Sequence, residues 1–216
     1  MSKSKKYVIG IVIPYYKNSE ECEIAFKKLM EQLDKQLTDG MVLYVYEDGQ
    51  FSNWLWEYAQ KKPNLIHIES NAKNKGVSYA RNKMLDQLID KCEYILFIDS
   101  DDRIADDYLK VMFEYCADKT HEIIESHFED YKFKTEFRRN EVRSGVAGSA
   151  IMTKIIGNIR FQEDRQIGED TRFMNEVCDL TKYRKKLAKT NYYYQLGINP
   201  NSLIMKYKRK EIGEKR

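Results

Sequence analysis

Three carboxylates fall within four residues at Asp99, Asp101 and Asp102, directly after Tyr94-Ile95-Leu96-Phe97-Ile98, the most apolar run of the chain. Carboxylates this close repel one another and destabilise the fold unless a cation sits among them. A divalent metal is the simplest such cation. Hard oxygen donors suit Mg²⁺ or Mn²⁺, which are usually held by one or two carboxylates and completed by the phosphates of a substrate. In extended backbone Asp99 and Asp101 project to one side and Asp102 to the other, so the first two are the expected ligands. The competing reading is a polar turn, Asp99-Ser100-Asp101-Asp102, that caps a helix starting near Asp106. Farther on, Glu169-Asp170 precedes what reads as another helix. There the macrodipole stabilises exposed anions by about 0.3–1 kcal/mol and depresses their pKa.

These groups need a scaffold. Tyr94–Ile98 has the continuous apolar character of a strand buried on both faces, as in a parallel sheet covered by helices, and such sheets bind ligands at the carboxyl ends of their strands. Tyr7–Ile13 is a second run of this kind, closed by Pro14, which cannot donate to a central ladder. Tyr15 and Tyr16 follow, either as aromatic faces for a planar base or as core residues. Ser19 is placed to cap a helix carrying Ile24, Ala25, Leu29, Met30, Leu33 and Leu37, with Gly40 as its end. Met41–Tyr46 reads as a strand that terminates in Glu47-Asp48-Gly49, a second acidic cluster or a tight Asp-Gly turn. A short helix at Trp54–Ala59 and a strand at Leu65–Ile68 come next. Asn71–Asn82 is then a basic loop in which Gly76 frees the backbone ahead of a helix with Met84, Leu85, Leu88 and Ile89 on one face. The helix amino end attracts anions, and Arg81 adds a fixed charge one turn in. The alternation of strands and helices predicts a right-handed α/β fold.

Composition sets limits. A chain of 216 residues with 42% hydrophobic and 33% charged residues predicts one well-cored domain, without a membrane-length apolar run or a secretory signal, and hence a cytoplasmic protein. The four cysteines contain no Cys-x-x-Cys pair, which predicts reduced structural thiols. From Lys182 onward eleven Lys and Arg oppose Glu211 and Glu214, a local balance of +9 that leaves −6 for the rest of a chain whose total is +3. This basic end is either a solvated tail or a surface that meets anionic lipid, nucleic acid or a phosphorylated substrate.

Four pieces stand in order: Ile13-Pro14-Tyr15-Tyr16, Glu47-Asp48-Gly49, Asn74-Lys75-Gly76-Val77-Ser78-Tyr79-Ala80-Arg81-Asn82, and Ile98-Asp99-Ser100-Asp101-Asp102. Together they resemble the nucleotide-binding half of the family 2 glycosyltransferases of GT-A fold, a Rossmann-like α/β architecture with a mostly parallel central sheet flanked by helices. The likeness covers residues 7 to about 104, and Glu169-Asp170 supplies a fifth piece. It implies an inverting enzyme that moves a sugar from a nucleotide diphosphate sugar, usually of uridine, to an acceptor hydroxyl. By position it assigns Pro14, Tyr15 and Asp48 to the base, with Tyr16, Glu47, Asn74 and Ser100 in the same donor site. It also places Arg81 near the donor, Asp99 on the ribose, Asp101 on Mn²⁺ or Mg²⁺, and Asp170 as catalytic base. One departure stands out: Glu47 and Gln50 replace an Asp and a Ser of the usual Asp-Asp-Gly-Ser loop, which bears on the preference for uridine.

On this reading residues 7–104 are the donor half of a single domain, 105–205 the acceptor half and 206–216 a basic tail. A helix is expected through Tyr108–Tyr115, strands or a long loop through 121–143, and a late strand from Tyr192 to Leu196. Gly145–Ala150 is a run of small residues that admits close approach of another chain or serves as a hinge. The Gln-x-x-Arg-Trp sequence and membrane helices of processive synthases are absent, which predicts single transfers to a polysaccharide, lipid-linked sugar, protein or modified DNA base, with peripheral membrane contact open. The rivals are a sugar nucleotidyltransferase, whose Gly-rich basic loop is not found after Pro14, and a non-enzymatic module that binds nucleic acid or an anionic surface through the basic end.

Overall fold

The apolar runs fold as parallel strands in the order their burial requires. In the computed structural model, which describes residues 6–130, 145–164 and 168–194, strands β1 (Tyr7–Tyr15), β2 (Met41–Asp48), β3 (Ile66–Asn71) and β4 (Cys92–Phe97) pair in parallel, with β1 between β2 and β4. The chain builds outward from β1 to β3, then returns along α3 (Val77–Leu88) to place β4 on the other side of β1. That reversal opens a crevice at the carboxyl ends of β1 and β4, the usual ligand position in open α/β sheets. Helices cover both faces. Ile9, Ile11, Ile13, Leu96 and Ile98 pack with α1 (Glu20–Asp34), α2 (Asn53–Gln60) and α4 (Tyr108–Asp118). Val12, Val42, Ile95 and Phe97 pack with α3 and α6 (Glu169–Leu180). Both faces of β1, β2 and β4 are thereby buried, which explains runs without polar alternation.

The second half extends the same sheet with antiparallel pairs. Strands β6 (Ile123–Asp130), β7 (Ser149–Met152) and β8 (Arg184–Tyr194) complete, with the two-residue β5 (Arg103–Ile104), an eight-stranded order β3-β2-β1-β4-β7-β6-β8-β5. A single turn, α5 (Thr153–Ile156), follows β7. The small-residue run is a packing device rather than a hinge. Gly148 has φ of +68°, and a Cβ there would stand 2.8 Å from the Phe128 ring. Its N–H donates to the Phe97 carbonyl at 2.8 Å, so it also ties β7 to the end of β4.

Three sequence expectations are corrected. β1 runs through Pro14 to Tyr15, because the ladder to β4 ends at Val12 opposite Phe97, and Val12 accepts the Ile98 N–H on that side. The alternate residue, Pro14, therefore turns its missing donor toward a side where no ladder bond is due. α1 stops at Asp34 instead of Gly40; Leu37 keeps its core position, but its N–H shares the Leu33 carbonyl with Gln36 in a turn. The acidic run does not cap the following helix, since β5 separates it from α4. No helix among the described residues is long and apolar enough to cross a membrane. The expected strand end at Gln195–Leu196, residues 131–143 and the tail 206–216 lie outside the described residues.

Candidate active site

The carboxyl ends of β1, β2 and β4 and the amino end of α6 converge on one cleft. Beyond β4 the backbone turns, with Asp102 N–H donating to the Asp99 carbonyl at 3.2 Å, so the chain is not extended there. The outcome for the side chains is nevertheless the expected one: Asp99 and Asp101 are partly exposed, whereas Asp102 is wholly buried. Burial, followed by the charge of Asp99, pushes the Asp101 carboxyl up to about 6. Ser100 lies partly exposed at the tip of the turn.

Arg81 joins this turn to α6. Its Nη2 donates to Asp99 Oδ1 at 2.9 Å and its Nη1 to Glu169 Oε1 at 3.2 Å. Burial alone would lower its pKa, but Asp99, Glu169 and Asp170 outweigh that and keep it charged. The residue is only 4% exposed. The resemblance places this charge beside a donor; here both terminal nitrogens are taken by protein carboxylates. Asn82, the next residue, accepts the Phe161 N–H at 2.8 Å and donates to the Phe161 carbonyl at 2.9 Å and to Glu163 at 3.0 Å. The adjacent Arg-Asn pair on α3 therefore holds the approach to α6 at two points.

Asp170 is half-buried on the first turn of α6, where its Oδ1 accepts the Thr171 N–H at 2.7 Å. The expected depression of its pKa by the helix end is overturned. Burial raises it first of all, Arg81 opposes, and the charge of Asp99 adds to the rise. Glu169 is raised for the same first cause, with Arg81 again opposing. One guanidinium thus serves three carboxylates, and a fourth, Asp101, stands beside Asp99. A site so rich in negative charge fits a bound cation. The described residues present no group of three His, Cys, Asp or Glu side chains set to hold a metal by themselves.

At the other side of the cleft, Asp48 is a lock. Its two oxygens accept the backbone N–H of Lys75 at 2.9 and 3.0 Å, that of Gly76 at 2.6 Å and the Asn71 side chain at 3.1 Å. Asp48, assigned by the resemblance to the base, is 3% exposed and fixes the Asn71–Gly76 loop. Gly49 makes this possible: at φ of +87° it lies so close to Asn74 that a Cβ would meet the Asn74 nitrogen at 2.6 Å. Asn74 itself is exposed at the rim. Glu47 is fully buried, accepts from Trp56 Nε1 at 3.0 Å and has its pKa raised by burial. Gln50 accepts the Lys17 N–H at 2.8 Å and so ties together the loops after β1 and β2. The two departures from the usual acidic loop are therefore structural ties beneath the cleft. Tyr15 is 1% exposed with its ring 4.2 Å from Phe26, a core residue; Tyr16, at 46%, carries the open ring, and Pro14, within β1, is half-buried.

Tyr192 escaped sequence reasoning. Its hydroxyl, fully buried, accepts the Asp99 N–H at 2.9 Å and shares a hydrogen bond with Asp102, whose charge raises the phenol further after burial. β8 also pairs with β5 at Arg103 and Ile104, so this late strand grips the acidic turn at both ends. The only signal in the sequence was a run of three tyrosines in a strand pattern, which carries no partner information.

Comparison with known proteins agrees with this geometry. The model of glycosyl transferase family 2 matches residues 10–190. The minor teichoic acid biosynthesis protein GgaB of Bacillus subtilis is 24% identical over 94% of this chain but only 24% of its own length. A cholesterol galactosyltransferase of Borreliella burgdorferi is 26% identical over 63% of this chain and 37% of its own. This chain thus spans less than half of either relative. In three dimensions it is similar to S. aureus TarS, residues 1–349, solved with UDP-GlcNAc, with a TM-score of 0.73, 18% identity and coverage of 87% of this chain and 58% of that one. It is also similar to the Pyrobaculum calidifontis mannosyltransferase PcManGT, solved with GDP-Man and Mn²⁺, with a TM-score of 0.69, 14% identity and coverage of 89% and 58%. On the match across residues 10–190, with the fold in accord, the chain belongs to glycosyl transferase family 2.

Proposed function

We propose that this protein transfers one sugar from a nucleotide diphosphate sugar, a UDP-sugar, to an acceptor hydroxyl with inversion at the anomeric carbon. The observation that carries the reading is the convergence of Asp99, Asp101 and Asp170 at the crevice beside β1 and β4, with Asp170 and Asp99 close enough to feel one another's charge. Tyr16 offers the exposed ring for a base, and the loop fixed by Asp48 forms the floor beside it. Asp99 faces the ribose. Asp170, on the opposite shore, takes the proton from the acceptor hydroxyl as that oxygen attacks. Its raised pKa makes it a stronger base than an ordinary aspartate.

The donor set fits Mn²⁺ or Mg²⁺ held chiefly by Asp101, because Arg81 already takes one oxygen of Asp99. When bound, such an ion supplies charge neutralisation to the departing diphosphate. Uridine is favoured by the likeness to TarS, which was solved with UDP and UDP-GlcNAc. Two relatives named for minor teichoic acid biosynthesis favour a hydroxyl on an anionic glycopolymer as acceptor.

A thermal-shift panel of nucleotide sugars with and without Mn²⁺ tests the reading. A ligand at a hundred times its Kd stabilises by about 2.7 kcal/mol, enough for a rise of several degrees. Uridine donors with Mn²⁺ are expected to give the largest rise, and a panel that stays flat throughout contradicts the proposal.

A further inference from the structure

Arg81 pairs with two carboxylates from different parts of the chain, and the transfer chemistry above gives it no direct role. Its side chain is only 5% exposed. Its two terminal nitrogens go to carboxylates seventy positions apart in the chain, Asp99 just past β4 and Glu169 at the start of α6. The guanidinium carbon stands 5.2 Å from the centre of the Phe161 ring, and Phe161 is itself pinned through both its backbone groups by Asn82. All of these grips issue from consecutive residues of α3, a helix packed against β1, β2 and β4.

Resting on the transferase reading, we propose that Arg81 and Glu169 are positioning residues: a single buried guanidinium sets the distance between the donor-side carboxylate Asp99 and the helix that presents Asp170. The planar fork of an arginine can hold two carboxylates from different segments at once, whereas a lysine ammonium is a single point. Glu169 is then the anchor of α6, and Asp170, one residue on, is aimed by it. An error of about 1 Å in such placement costs on the order of a hundredfold in rate without altering what binds.

The test is a double-mutant cycle read in kcat, in KM for the donor and in the donor-induced thermal shift. Glu169→Gln keeps the shape of the side chain and weakens the grip; Arg81→Lys keeps the charge and loses the fork. Each is expected to lower kcat about tenfold or more, to leave the donor KM and the donor-induced shift near wild type, and to be no worse in combination than the more severe single change, as for residues acting as one unit. Independent effects that multiply in the double variant would overturn the proposal. So would an Arg81→Lys protein that keeps its kcat and loses donor affinity, since that marks a direct donor contact. Should Arg81→Lys fail to fold, Glu169→Gln decides alone: wild-type kcat in that variant refutes the positioning role. A wild-type protein that no nucleotide sugar stabilises would overturn the transferase reading itself, and this inference with it.

Discussion

Asp170→Asn is expected to lower the transfer rate about 10²–10⁴-fold, the span usually lost with a general base, while the donor-induced rise in melting temperature persists. The substitution removes the basic oxygen and little else. An asparagine can still accept the Thr171 N–H with its amide oxygen, so this bond in the first turn of α6 is kept. The fold is not weakened by the lost charge. The folded-state pKa of Asp170 lies above its ordinary value, so any stability from this group is present below that ordinary value and disappears as pH rises through the folded one. Above the folded-state pKa the ionised carboxylate is therefore a burden, and there its replacement leaves the melting temperature equal or higher. For the same reason the acid limb of the wild-type rate profile is expected above the ordinary aspartate pKa of about 3.9. A variant that is folded, binds donor and transfers at the wild-type rate would remove Asp170 from the chemistry.

The second large effect is expected at Asp101. Asp101→Asn should abolish both turnover and the response to Mn²⁺, yet make the metal-free protein more stable at pH 8. Burial and the neighbouring Asp99 raise this carboxyl from 3.8 to about 6. Its contribution is complete below pH 3.8 and is lost as pH climbs through 6. A shift of this size corresponds to about 2 kcal/mol after allowance for water in a partly open site, or several degrees of melting temperature in a chain of this length. Asparagine removes that burden. Melting curves at pH 5 and pH 8 in chelator check the sign: the loss runs between 3.8 and about 6, so the variant's gain over wild type should be larger at pH 8 than at pH 5. A loss of stability at both, with transfer still stimulated by Mn²⁺, would contradict the role given to Asp101.

Much of this site could be read from the chain because its parts are local. The continuous apolar runs at Tyr7–Ile13 and Tyr94–Ile98 become central parallel strands for the reason their composition suggests, burial on both faces. Asp99 and Asp101 reach the cleft because they follow β4, and Asp170 because it lies on the first turn of α6. Pro14 misled, since the rule that excludes proline from central ladders applies to one side of a strand at a time, and the β4 side had already ended. Asp48 and Arg81 were assigned to the donor; within the protein the Asp48 oxygens accept from Gly76, Lys75 and Asn71, and the Arg81 terminal nitrogens donate to Asp99 and Glu169. Nothing in a linear pattern says whether a charged residue faces a ligand or another part of the same chain. Tyr192 lay beyond reach altogether: its bond to the Asp99 N–H spans 93 positions and exists only because β8 inserts between β6 and β5.

Crystals grown with UDP and Mn²⁺ would examine the central assignment most directly, by anomalous scattering at the manganese edge. A peak against the Asp101 carboxylate that also touches the diphosphate, with the uracil beside Tyr16 and the ribose at Asp99, is the predicted result. An ordered nucleotide bound elsewhere on the protein, or an acidic turn that faces only solvent under saturating ligand, would contradict it.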